Sequence, residues 1–205
     1  LHEMKHLRSL ELCGDWRTME PQLKQCTQLT KLEVMVGFDD LPFLDSMLEN
    51  LCELEELIII ARGKSETPID MPIHIFTLQF PHLTHLECRI SGSEAYLLAF
   101  EDFLQRHRKL TNLSITFTSA VNVAQSWQIL LSCPELEYLY RKDVNAVDVG
   151  TRFILTGLPP TLRRLTWKKG YTLVKNVVLP VDHMLTHFQN ETFVNNIIRH
   201  QTLAS

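Results

Sequence analysis

Leu110-Thr111-Asn112-Leu113-Ser114-Ile115 places three apolar residues at the spacing L-x-x-L-x-I, and that spacing decides the fold because it recurs along the chain. Other copies are Leu7/Leu10/Leu12, Leu29/Leu32/Val34, Leu54/Leu57/Ile59 and Leu83/Leu86/Cys88. Two weaker ones follow: Leu136/Leu139, with Arg141 where the third apolar residue belongs, and Leu162/Leu165/Trp167. The first leucines, at 7, 29, 54, 83, 110, 136 and 162, are separated by 22, 25, 29, 27, 26 and 26 residues. The last two anchors of each copy are two residues apart, the period of a β-strand, so both point to one face and the residues between and after them point to the other.

A strand motif recurring every 20–29 residues is the signature of leucine-rich repeats. Between the strands the pattern turns helical. Asp39 to Leu51 carries Leu41, Phe43, Leu44, Met47 and Leu48 at three-to-four spacing; Ser93 to Arg106 carries Tyr96, Leu97, Phe100, Phe103 and Leu104; and Val123 to Leu131 gives a shorter third helix. The expected fold class is therefore α/β: a leucine-rich-repeat solenoid of about seven repeats, an arc with a concave parallel β-sheet and convex helices. Arg62 to Gln79, with Gly63, Pro68 and Pro72, reads as an irregular insertion before the fourth strand. The repeat fades after Trp167. The expected organisation is a repeat array over 1–175 and a C-terminal cap or tail over 176–205, with Val177 to Ile198 closing the last apolar face. Loss of the anchor at Arg141 leads us to expect a degraded, twisted sixth strand.

The chain has 205 residues, is 45% hydrophobic and carries a formal net charge of −4, enough apolar material for a continuous core and no excess charge that calls for nucleic acid or membrane. Its five cysteines are an odd number and form no C-x-x-C pair, which favours a reducing compartment, cytoplasmic or nuclear. Asn112-Leu113-Ser114 and Asn190-Glu191-Thr192 match a glycosylation triplet that arises often by chance. No apolar run is long enough to cross a membrane, and the opening at Leu1 suggests a processed chain or an excerpt.

Cys26-Thr27-Gln28-Leu29-Thr30-Lys31-Leu32, Phe80-Pro81-His82-Leu83-Thr84-His85-Leu86 and Cys133-Pro134-Glu135-Leu136-Glu137-Tyr138-Leu139 resemble repeats of the ribonuclease-inhibitor-like branch. They are most similar to those of fungal-type F-box/leucine-rich-repeat proteins, over about residues 6 to 170. The resemblance implies the substrate-binding repeat region of a ubiquitin-ligase adaptor, joined to the ligase scaffold through an F-box module that cannot be read here. Leu158-Pro159-Pro160-Thr161-Leu162-Arg163-Arg164-Leu165 also resembles plant immune-receptor repeats. The alternative from that side is an immune-type sensor or a GTPase-regulator repeat domain.

His2-Glu3-Met4-Lys5-His6 spells H-E-x-x-H, the spacing that lets two histidines hold zinc beside a glutamate base. A zinc-dependent hydrolase through His2, Glu3 and His6 is the reading from another class. Repeat register already explains His6, which holds the slot taken by Gln28, His82 and Lys109 in other copies, so no metal is expected. His183 and His187 share the same spacing on a solvated helical face. Cys26, Cys88 and Cys133 occupy structural slots, and Cys13 should point outward. With seven glycines and no nucleophile elbow or phosphate loop, the expectation is no enzyme, no catalytic residue and no cofactor.

The residues aimed at the concave face carry the functional reading. Their middle column is acidic at Glu11, Glu33 and Glu87, and the far end is basic at Lys142, Arg164 and Lys168, joined by Arg163 and Lys169. Met35, Ile58 and Ile60 offer an apolar patch, unless the Arg62 to Gln79 insertion covers the isoleucines. Tyr138 and Tyr140 offer aromatic anchors, and Arg89 lies between the two ends. The expected function is protein–protein recognition, with a protein partner on this face, no nucleic acid and no membrane.

Overall fold

Parallel strands need long connections, and the 22 to 29 residues between successive anchors supply them. In the computed structural model, which describes residues 6–14, 16–61, 71–119, 123–130, 132–144, 159–169 and 172–178, the strands lie side by side in chain order. They are β1 (Ser9–Leu12), β2 (Lys31–Val36), β3 (Glu56–Ala61), β4 (His85–Ile90), β5 (Asn112–Phe117), β6 (Tyr138–Asp143), β7 (Arg164–Lys169) and β8 (Thr172–Val178). The first seven are parallel, and β8 returns antiparallel along β7.

The middle anchors Leu10, Leu32, Leu57, Leu86, Leu113, Leu139 and Leu165 stand opposite one another across β1 to β7. All but the edge residue Leu10 are buried. Two further regularities fix the entry to each strand. A tight turn precedes each first anchor from Leu29 onward: the N–H groups of Leu29, Leu54, Leu83, Leu110, Leu136 and Leu162 bond to the carbonyls of Cys26, Leu51, Phe80, His107, Cys133 and Pro159, all buried residues. Then one carbonyl in each copy accepts two N–H groups from the next. Arg8 O takes Thr30 and Lys31, Thr30 O takes Glu55 and Glu56, and Glu55 O takes Thr84 and His85. The scheme continues with Thr84 O, Thr111 O and Glu137 O. These bonds satisfy backbone groups that the strand ladder alone would leave open.

Three connections are helical as the spacing predicts, with α2 at Leu41–Leu48, α3 at Glu94–Arg106 and α4 at Val123–Leu130. A short α1 at Glu20–Leu23 was not expected. Leu44, Met47 and Leu48 of α2, and Leu97, Phe100, Phe103 and Leu104 of α3, join the buried strand residues in one core. Pro42 sits in the first turn of α2, where its missing N–H costs nothing. The insertion is irregular only in part. Ile73–Thr77 forms a 3-10 helix whose buried Phe76 meets Phe100 and Phe103 edge-on, at 5.2 and 5.7 Å between ring centres. Arg106, at the end of α3, donates to the carbonyls of Phe76 and Leu78. Residues 62–70 lie outside the described residues, so cover over Ile58 and Ile60 from there does too.

The expectation of a twisted sixth strand is corrected. Arg141 keeps its place between Ile115 and Trp167, and its side chain is fully buried. Its Nε donates to both carboxylate oxygens of Asp143, at 3.0 and 3.2 Å, and Trp167 Nε1 donates to Asp143 Oδ2 at 2.8 Å. The guanidinium carbon lies 4.5 Å from the Trp127 ring centre, 4.9 Å from Phe117 and 5.8 Å from Trp167. Three aromatic faces and one carboxylate thus replace the missing apolar anchor. The sheet continues to Val178, past the expected boundary at 175, and residues 179–205 of the expected cap, with His183 and His187, lie outside the described residues. Among the described residues, no helix is long and apolar enough to cross a membrane.

Candidate recognition face

Strand period two divides each strand into an inward set, packed in the core, and an outward set. On β2, β4 and β5 burial alternates at every position, with the outward residues half-buried. Every residue expected on the recognition face belongs to the outward set. Glu11, Tyr138 and Arg164 are exposed, and Glu33, Met35, Ile58, Ile60, Glu87, Arg89, Tyr140, Lys142 and Lys168 are half-buried.

Cross-strand register sorts these residues into two groups. Met35 stands opposite Ile60, Glu33 opposite Ile58, and Ile58 opposite Glu87, which forms an apolar patch bordered by carboxylates. Tyr138 stands opposite Arg164, and Lys142 opposite Lys168. Between β2 and β6 there are four strand spacings, roughly 19 Å at about 4.8 Å each, so the apolar patch and the tyrosines do not form one anchor site. Two expected members of the basic end are placed differently. Arg163 pairs with Glu137 at 3.6 Å, and Lys169 is in register with Asp143, outside the row of Lys142 and Lys168.

The tyrosines border a shallow depression of about 390 Å³ lined by His85, Asn112, Leu113, Ser114, Tyr138 and Tyr140. It arises where small residues on β5 lie beside the two large rings on β6, with Asn112 opposite Tyr138 and Ser114 opposite Tyr140. Sequence reasoning singled out the rings but not their smaller neighbours. The available signal was the small-to-large step from Asn112 and Ser114 to Tyr138 and Tyr140 when the two strand sequences are aligned. Tyr138 is 42% exposed, so its ring is open to a partner. Lys168 Nζ lies 5.5 Å from the Tyr140 ring centre, which draws the ammonium toward the depression.

Charge divides the face along its length. On β1 to β4 the outward positions include Glu11, Glu33, Glu56 and Glu87, and one of the cations there, Lys31, bonds Glu56 at 2.8 Å. That hydrogen bond, with the charge of Glu56 behind it, raises the Lys31 pKa above the ordinary lysine value. On β5 to β7 the nine outward positions hold Lys142, Arg164 and Lys168 and no carboxylate.

The thiols behave as their slots predict. Cys26, Cys88 and Cys133 are buried, and Cys13 is exposed with its Sγ 3.5 Å from Glu11 Oε1. Burial raises the pKa of Cys26, pushes Cys133 up to about 12 and Cys88 higher, with Glu87 adding to the last; these three stay protonated and poorly nucleophilic. His2 and Glu3 of the zinc reading lie outside the described residues. Among the described residues, no three His, Cys, Asp or Glu side chains converge as a metal site requires. No family model and no curated protein matches this sequence.

Proposed function

We propose that the chain is a leucine-rich-repeat solenoid that recognises a protein partner on its outward sheet face, which is the concave side of the arc in this reading. The solenoid reading is supported by the entry turn and the two-fold acceptor carbonyl that recur from strand to strand. The recognition reading rests on one observation: an exposed Tyr138 and half-buried Tyr140 border an open depression on the sheet face turned away from the core. Aromatic rings at the edge of a pocket are the residues that most often carry binding energy between proteins.

Binding rather than catalysis is the activity. The resemblance to F-box/leucine-rich-repeat proteins makes the partner a substrate delivered to a ubiquitin ligase in the cytoplasm or nucleus, with the scaffold held by another region. Affinity purification from native cells, with mass spectrometry of what co-purifies, tests both parts. Recovery of ligase scaffold subunits supports the adaptor role; their absence beside another stable partner removes that role and leaves recognition standing. The face itself is tested with Tyr138→Ala/Tyr140→Ala, expected to lower partner recovery at least about tenfold, as loss of two aromatic anchors would. Undiminished recovery would place binding elsewhere.

A further inference from the structure

Resting on the recognition reading, we propose that the β4 to β7 end of the outward face binds an acidic peptide segment about five residues long. Its carboxylates lie on Arg89, Lys142 and Lys168, and a neighbouring aromatic or apolar side chain enters the Tyr138/Tyr140 depression. Arg89, Thr116, Lys142 and Lys168 stand opposite one another on four consecutive strands. They form a row roughly 14 Å long at about 4.8 Å per strand. An extended peptide advances roughly 3.3 Å per residue, so four or five residues cover the row. The depression lies beside it, two to four residues back on β4 to β6.

Three observations make the occupant acidic. No outward residue of β5, β6 or β7 is a carboxylate, so a basic segment would meet only like charge there. Lys168, a member of the row, holds its Nζ over the Tyr140 ring at the edge of the depression, so a carboxylate on it would be adjacent to an inserted side chain. Arg89, half-buried on the outward side of β4, adds a further cation at the other end of the same row. A short segment fits better than a polyanion. Glu87 stands beside Arg89 on β4, in the neighbouring row that Ser114 and Tyr140 continue, and Glu33 and Glu11 extend that row over β2 and β1, so nucleic acid extending in that direction would meet their repulsion.

Panning a random peptide library displayed on phage against the full chain tests the proposal. Selected peptides should carry at least two Asp or Glu within about five residues of an aromatic or apolar one. They should bind Lys142→Glu/Lys168→Glu at least about tenfold more weakly, and Lys142→Gln/Lys168→Gln less severely, because charge reversal adds repulsion to the lost attraction. Binding to Gln105→Lys, a substitution at an exposed position of α3, should be unchanged. Circular dichroism checks that each variant folds, and these half-buried outward lysines are not among the core residues.

Neutral or basic selected peptides, acidic peptides indifferent to both lysine pairs, or an empty selection would overturn the proposal. So would a thymidine oligonucleotide that displaces the peptides at lower concentration, which would give the row to nucleic acid. Basic peptides lost on Tyr138→Ala/Tyr140→Ala would remove the acidic occupant and keep the recognition face. Peptides whose binding no outward substitution alters would remove the recognition reading as well.

Discussion

Arg141 carries a charge at a position where the neighbouring strands supply Ile115 and Trp167. Moving a guanidinium out of water costs several kcal/mol, and the cost is offset only when the partner geometry is good. Here Asp143 accepts from Nε through both oxygens while Trp127, Phe117 and Trp167 face the guanidinium, whose Nη1 and Nη2 are buried without hydrogen-bond partners, so the cost is offset only in part. Asp143 therefore stabilises the fold chiefly by preventing an unpaired buried charge. Asp143→Ala should destabilise by about 3–5 kcal/mol, the cost of breaking such a pair. Arg141→Leu/Asp143→Ala should recover most of that loss, since it removes both charges and returns a leucine to a core of leucines. Urea denaturation of the two variants decides it. A double variant no more stable than the single one would mean that aromatic stacking on the guanidinium, rather than charge pairing, holds this part of β6.

At the level of elements, His107 ties the end of α3 to the turn before β4. Its Nε2 accepts the Phe80 N–H at 2.9 Å, its Nδ1 bonds the Phe103 carbonyl at 2.7 Å, and its ring stacks on Phe103 at 3.9 Å. Only a neutral ring with its proton on Nδ1 meets both demands; a second proton would set donor against donor at Phe80. Burial lowers the pKa, and Arg106 lowers it further against the opposing pull of the Phe103 carbonyl. The folded state thus binds fewer protons than the unfolded state between the folded pKa and the ordinary value near 6.5. The contribution is complete above about pH 6.5 and is lost as pH falls toward the folded pKa. Wild type should lose more stability than His107→Gln between about pH 7.5 and pH 5 in parallel thermal melts. Equal losses would show that this histidine is not the titrating group. Strands β1 to β7 and helices α2 to α4 were legible in the sequence because their apolar spacing is regular, whereas the antiparallel β8 lies outside the repeat and was not. The 3-10 helix at Ile73–Thr77 was not, because Pro72 signals a break and its buried residues, Ile75 and Phe76, are adjacent. Nor was the inward role of Arg141, since an apolar pattern treats a charge as a failed anchor and does not reveal the ring faces around it. The outward residues were legible from period two, whereas the depression depends on which residues of β5 and β6 meet across strands.

Over the whole face, charge acts at two ranges. From β2 to β6 is roughly 19 Å at about 4.8 Å per strand, so Glu33 is more than two screening lengths from Lys142 at physiological salt, where the Debye length is about 8 Å, but within one at about 0.01 M, where it is about 30 Å. An acidic segment arriving at the β5 to β7 end should therefore feel Lys142, Arg164 and Lys168 under both conditions and Glu33 only when salt is low. Stopped-flow association of a selected acidic peptide should gain less from lowering the ionic strength from about 0.15 M to about 0.01 M than the three cations alone would give it, because the carboxylates of β1 to β4 and a net charge of −4 come into range. Arg164→Glu/Lys168→Glu should slow association at both ionic strengths. Glu33→Lys should speed it only at the lower one, where the carboxylate otherwise repels the incoming segment. The separation of these two effects by salt is the signature of a face whose ends carry opposite charge. If Glu33→Lys has the same effect at both ionic strengths, the peptide touches β2 directly, and the two groups of outward residues act as one continuous binding surface.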